Sequence, residues 1–144
     1  MIKARNYNRK NKEFNNTEGL KHLYWELFDS PDSKGSAFRY MERECVLILD
    51  DIMVEFPMWR PSIELGYTSQ PYSDLLGLTS FSPYRVGKGV RLKVLDSKKR
   101  MFLVKNLILR GVVRIAVSEK YVEFDTDNYL YKPNLYIRWD IKGK

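Results

Sequence analysis

The 144-residue chain has one histidine, His22, and one cysteine, Cys45. A single cysteine excludes an intrachain disulfide, so the fold does not depend on an oxidising compartment. With one imidazole and one thiol, a metal site would have to be built mainly from carboxylates, which suit harder ions better than zinc. No run approaches the roughly 18 apolar residues of a membrane span. The opening Met1-Ile2-Lys3-Ala4-Arg5 passes into Asn and Lys instead of an apolar stretch, so no secretory signal is expected and the chain reads as soluble.

Positive charge is plentiful, at 25 Lys and Arg against 18 Asp and Glu, but it is unevenly placed. Lys3, Arg5, Arg9, Lys10 and Lys12 against Glu13 give residues 1–17 a net +4 of the whole chain's +7. This polar arm has too few large apolar groups to offset the entropy of ordering. It is expected to lie along a neighbouring protein subunit or to bind nucleic acid through its cations. The remainder, 18–144, is apolar enough for one domain with its own core.

Along that domain, Gly19 to Phe28 is a short apolar segment, followed by a polar turn in which Ser36 is a candidate helix cap. Met41, Cys45, Ile48, Leu49, Ile52 and Phe56 recur at helical spacing, predicting one helix that ends before Pro57. Ser62 to Gly66 alternates like a strand, and Tyr67 to Lys88 shows no period and reads as a long functional loop. Val90, Leu92 and Val94 predict a second strand, and Ser97 is a candidate cap for a second helix running through Leu109 and stopped by Gly111. Val113–Val117 and Tyr121–Asp125 flank Ser118-Glu119-Lys120 as a hairpin, and Leu135–Trp139 reads as the last strand. The expected class is α+β, two main helices on a mainly antiparallel sheet.

Four stretches then resemble, in order, the zinc D-alanyl-D-alanine carboxypeptidases and peptidoglycan endopeptidases of Hedgehog-like fold, in particular phage-type members. Phe28-Asp29-Ser30-Pro31-Asp32 with Gly35-Ser36 and Met41-Glu42-Arg43-Glu44 is similar to the family's opening and first helix. Leu65-Gly66-Tyr67-Thr68-Ser69 resembles the Ser-Gly-Tyr-Arg-Thr strand end. Ser82 to Arg91 follows the frame Ser-x-His-x-x-Gly-x-Ala-x-Asp, and Gly111–Ile115 with Tyr121–Asp125 follows the Gly-Phe-x-Arg-Ile and Phe-Ile-His-Val-Asp strands. The resemblance covers roughly residues 20–140. It implies a metal held by His, Asp and His, with an open position for the attacking water. Those places carry Tyr84, Arg91 and Glu123 here. Neutral tyrosine is a poor zinc ligand, and arginine, always protonated, is none at all. The metal-site positions therefore read as degenerate, with no metal or other cofactor expected; a salt bridge of Arg91 with Glu123 is the alternative use of the spot.

Elsewhere the bland reading prevails. His22 is taken as a packed or capping histidine, Cys45 as a buried inert thiol, and adjacent Asp50 and Asp51 as solvated helix acids. Gly87-Lys88-Gly89 lacks the frame of a phosphate-binding loop. Tyr67, Tyr72, Phe81, Arg85 and Lys88 mix aromatics with cations, as a nucleic-acid or glycan surface does, and equally as a protein contact does. The protein contact is preferred. The expectation is a catalytically inactive peptidase-fold protein serving in a larger assembly, a minor capsid or decoration protein of a bacteriophage virion made in the host cytoplasm. The alternatives are a non-catalytic peptidoglycan-binding module and a wall peptidase with an atypical metal site, and the alternative location is the cytoplasm.

Overall fold

The structure, a computed structural model, describes residues 19–127 and 139–140. The arm cations Lys3, Arg5, Arg9, Lys10 and Lys12, and residues 135–138 of the expected last strand, lie outside the described residues.

Leu23, Trp25 and Phe28 are the large apolar groups that draw the first described segment onto the body, and all three are buried. Removing a side chain of this size from water contributes about 1.5–3 kcal/mol. The last two sit in one 3-10 turn, Trp25–Phe28. The segment before it has no ladder partner, and Asp50 supplies the missing acceptor. Its carboxylate accepts the backbone N–H groups of Lys21 at 2.9 Å, His22 at 2.8 Å and Leu23 at 2.9 Å. Asp50 is 4% exposed, which corrects its reading as a solvated acid: an ionised carboxylate has about four lone-pair sites, and three amides occupy them here. Asp51 does face solvent and pairs with Arg110 at 2.7 Å.

The single helix expected from the apolar stripe is two, α1 (Ser36–Tyr40) and α2 (Arg43–Met53). Met41 and Glu42 are extended between them. A contact distant in sequence holds the break: the Glu42 N–H donates to the Gly87 carbonyl at 2.8 Å. Position 87 must be glycine for this approach, since a Cβ there would stand 2.6 Å from the Tyr40 carbonyl oxygen at a φ of +76°. Ser36 is the first residue of α1 and not its cap. Gly35 caps it in a left-handed conformation, while the Asp29 carboxylate accepts from the N–H groups of Gly35 and Ala37 at 2.8 and 2.9 Å.

The strands are β1 (Ser62–Leu65), β2 (Gly89–Lys93), β3 (Arg114–Ser118), β4 (Tyr121–Asp125) and β5 (Trp139–Asp140). Their order is β1-β2-β4-β3-β5, antiparallel except for β5, which runs parallel to β3 with Trp139 opposite Val117. The stretch read as a loop contains a helix, α3 (Gln70–Leu76), capped by the Ser69 hydroxyl. The longest helix among the described residues, α4 (Ser97–Leu109), is capped by Asp96 and not by Ser97, and positive-φ Gly111 follows its end as expected.

The class is thus mixed α+β. Helices α2 and α4 share one buried cluster with the inner sheet face, joining Cys45, Ile48, Ile52, Leu103 and Leu107 to Val90, Leu92, Ile115, Val122 and Phe124. Successive strand residues point to opposite faces. Burying Val90 and Leu92 of β2 and Val122 and Phe124 of β4 therefore turns Arg91 and Glu123 away from the core, onto one face. Among the described residues, no helix is long and apolar enough to cross a membrane.

Candidate functional site

Strand register sets the centre of this outer face. Arg91 and Glu123 are directly paired across β2 and β4. The guanidinium donates to Glu123 Oε2 through Nε at 3.1 Å, and its Nη2 lies 3.0 Å from the same oxygen. Its third nitrogen, Nη1, lies 3.7 Å from the Glu64 carboxylate on β1. Beneath it the Tyr121 ring stacks at 4.3 Å, a cation–π contact that favours arginine over lysine.

Tyr84 reaches the same point from the turn before β2. That turn is closed by Lys88 N–H donating to the Pro83 carbonyl at 2.8 Å, and it is tied to the end of β1 by Thr68 N–H donating to the Tyr84 carbonyl at 3.0 Å. The buried Tyr84 side chain donates its hydroxyl to Glu123 Oε2. Three residues separated by 7 and 32 positions thus meet at one carboxylate oxygen.

Burial, reinforced by the Glu123 charge, pushes the Tyr84 phenol well above its usual range. Burial works against the Arg91 charge, but Tyr84 and Glu123 outweigh it and hold the guanidinium protonated. A phenol raised in the folded state keeps its proton after the unfolded chain has lost its own. Its contribution to stability is therefore complete below pH about 10 and is lost as pH rises further, at up to about 1.4 kcal/mol per unit. Alkaline unfolding of the native chain and of Tyr84→Phe, followed by denaturant melts, checks this: the variant is expected to lose part of the slope above pH about 10.

A zinc ion does not fit these residues. The place the resemblance would give it, among Tyr84, Arg91 and Glu123, holds a permanent cation, and the Glu123 oxygen there already accepts from Arg91 and Tyr84. Among the described residues, no group of three or more His, Cys, Asp or Glu side chains could hold a metal ion.

Beside this centre lies a cavity of about 210 Å³ lined by Pro83, Tyr84, Arg114, Ile115, Glu123 and Asp125. Arg114 and Asp125, register partners on β3 and β4, pair on its wall at 2.8 Å. Burial pushes the Asp125 carboxyl up in spite of that partner.

The remaining candidates separate. Tyr67, read as surface, is 8% exposed because its ring packs on Tyr40 at 5.5 Å, so it belongs to the body. Phe81 is 58% exposed, Tyr72 and Arg85 are half-buried, and Lys88 lies 3.7 Å from Asp127. His22 is exposed and touches Asp50 through its backbone. The Cys45 thiol is fully buried with the Glu42 carbonyl at 3.3 Å, and burial pushes it up, so no reactive thiolate forms. Sequence reading missed Glu64 and Tyr121, although strand alternation alone places both on the Arg91 face. It also missed an apolar groove of about 610 Å³ along α4, bordered by Met101, Val104, Ile108, Leu109 and Val117.

Compared with family models, characterised proteins and solved structures, the chain matches none.

Proposed function

We propose that this chain is a non-catalytic relative of the zinc D-alanyl-D-alanine peptidases of Hedgehog-like fold, acting as a structural or binding component of a larger assembly. The assembly proposed is a bacteriophage virion, with the chain as a minor capsid or decoration protein. The observation that carries the reading is the convergence of Tyr84, Arg91 and Glu123. Those are the positions at which the resembled family would gather its ligands, and a salt bridge occupies them here. A guanidinium there leaves no Lewis acid to lower the pKa of a water, so hydrolysis by that route has no nucleophile. The expected partners are neighbouring protein subunits, engaged through residues 1–17 and the exposed part of 67–88, where Phe81 is the apolar anchor.

A second reading, a peptidoglycan-binding module, is favoured by the cavity beside Tyr84 and Glu123, where a cleft for a short peptide would remain after loss of the metal. Incubating the purified chain with isolated sacculi, with and without chelator, separates the readings. An assembly component neither releases peptide nor sediments with sacculi, and it co-purifies with particles at fixed copy number. Sedimentation without release favours the wall binder. Chelator-sensitive release of peptide overturns both.

A further inference from the structure

A third cleft, between α3 and the turn that follows it, holds two opposite charges that do not pair with each other. Helix α3 ends at Gly77, whose φ of +74° reverses the chain. The Leu78 N–H then donates back to the Ser73 carbonyl at 2.9 Å, which folds residues 78–80 over the last helical turn. The Val86 N–H, donating to the Ser82 carbonyl at 3.1 Å, fixes the facing turn that carries Arg85. The space enclosed is about 300 Å³, lined by Gln70, Asp74, Thr79, Ser80 and Arg85 among others. That volume lies at the lower end of the usual range for small-molecule pockets, about 300–1,000 Å³.

Lys88, Arg91 and Arg114 each have a carboxylate partner. Arg85 does not. Its polar contact is the Tyr67 hydroxyl at 3.5 Å, the outer limit for a hydrogen bond. Among the described residues, Asp74 likewise takes part in no ion pair, although it lines the same cleft. A lone anion on Arg85 would be opposed by Asp74, and a lone cation on Asp74 by Arg85. A molecule carrying both signs satisfies each wall and leaves the cleft's net charge unchanged. In a partly enclosed space those contacts are stronger than in open water.

We propose that this cleft binds a small zwitterion, its anionic group on the Arg85 guanidinium and its ammonium group on the Asp74 carboxylate. The planar guanidinium suits a carboxylate. The Thr79 and Ser80 side chains, with the Gln70 amide, offer further donors and acceptors in the same space. Tyr84, Arg91 and Glu123 take no part, so this site does not rest on the reading of that centre, although it lies within the 67–88 stretch proposed above to face neighbouring subunits.

Amide chemical shifts of the full chain, titrated with glycine, β-alanine, γ-aminobutyrate and ε-aminocaproate, test the idea, with acetate and ethylammonium as separate halves. The series varies the distance between charges, so one member is expected to saturate most tightly, with shifts confined to residues 70–86. Either half alone should bind at least about tenfold more weakly, the loss of one charged hydrogen bond. Arg85→Gln and Asp74→Asn, both solvent-accessible positions, should each weaken binding by at least about tenfold while the rest of the spectrum stays unchanged. The proposal is overturned if no member saturates, if acetate matches the best zwitterion, or if either variant binds as the native chain does.

Discussion

Glu123→Ala should lower the unfolding free energy by about 2 kcal/mol, whereas Arg91→Met combined with Glu123→Leu should return to within about 1 kcal/mol of the native chain. The single change removes the acceptor shared by Arg91 and Tyr84, leaving a half-buried guanidinium on the Tyr121 ring with the more distant Glu64 carboxylate at 3.7 Å. Fully buried pairs cost more to break, about 3–5 kcal/mol, and the 28% and 21% side-chain exposure of Arg91 and Glu123 justifies the smaller figure. The paired exchange replaces both charges by apolar groups of similar size, so no buried charge is stranded; the exposed Glu64 is left to solvent, and the buried Tyr84 hydroxyl, losing its acceptor, accounts for the remaining cost of about 1 kcal/mol. Denaturant melts of the native chain, Arg91→Met, Glu123→Leu and the double variant provide the cycle. Additive losses would mean that the pair stabilises nothing beyond its separate side chains.

Asp50→Ala should be costlier, about 3 kcal/mol, although it lies far from any chemistry. The carboxylate is the acceptor for three consecutive backbone amides, of Lys21, His22 and Leu23. Removing it strands those donors at the edge of the core, and they lead directly into Trp25 and Phe28. The damage extends toward the centre of the outer face, because the Phe28 carbonyl accepts the Tyr67 N–H at 2.8 Å where β1 ends. Gly66 lies against the same residue so closely that a Cβ would stand 2.5 Å from that carbonyl oxygen. Thermal melts of Asp50→Ala should show the loss; Asp50→Asn keeps an acceptor oxygen and should recover part of it. An unchanged melting temperature for Asp50→Ala would show that water satisfies the three amides as well as the carboxylate does.

Strand β4 was legible because it buries one face, and β1 and β2 because Ile63 and Leu65, and Val90 and Leu92, alternate with polar residues; β3, buried at Ile115 to Ser118, was legible from its apolar run opposite β4. Helix α4 was legible from its end signal, Gly111, although its cap lies one residue earlier, at Asp96. Helix α3 was not legible. Its buried residue is Ser73, while Leu75 and Leu76 are exposed, so it carries no apolar stripe, and only Ser69, Pro71 and Gly77 mark it as caps and punctuation. The break between α1 and α2 was hidden for the opposite reason: the apolar stripe continues through it, and its cause is Gly87, more than 40 residues away. The meeting of Arg91 and Glu123 was foreseen only by aligning both stretches to a family's ligand frame, since neither strand alone states its register. The unpaired charges of Arg85 and Asp74 could not be read at all, because pairing is a property of distance and not of composition.

Zinc titrated by calorimetry into the native chain, and into the combined variant Tyr84→His, Arg91→Asp and Glu123→His, addresses the electrostatic substitution most directly. If an ion-paired centre has replaced a metal site, the native chain gives no binding heat. The variant, which removes the guanidinium and supplies the ligand types zinc prefers, should then bind one ion at about micromolar affinity or tighter. Tight one-to-one binding by the native chain would contradict the substitution, and failure of the folded variant to bind would contradict the inherited frame.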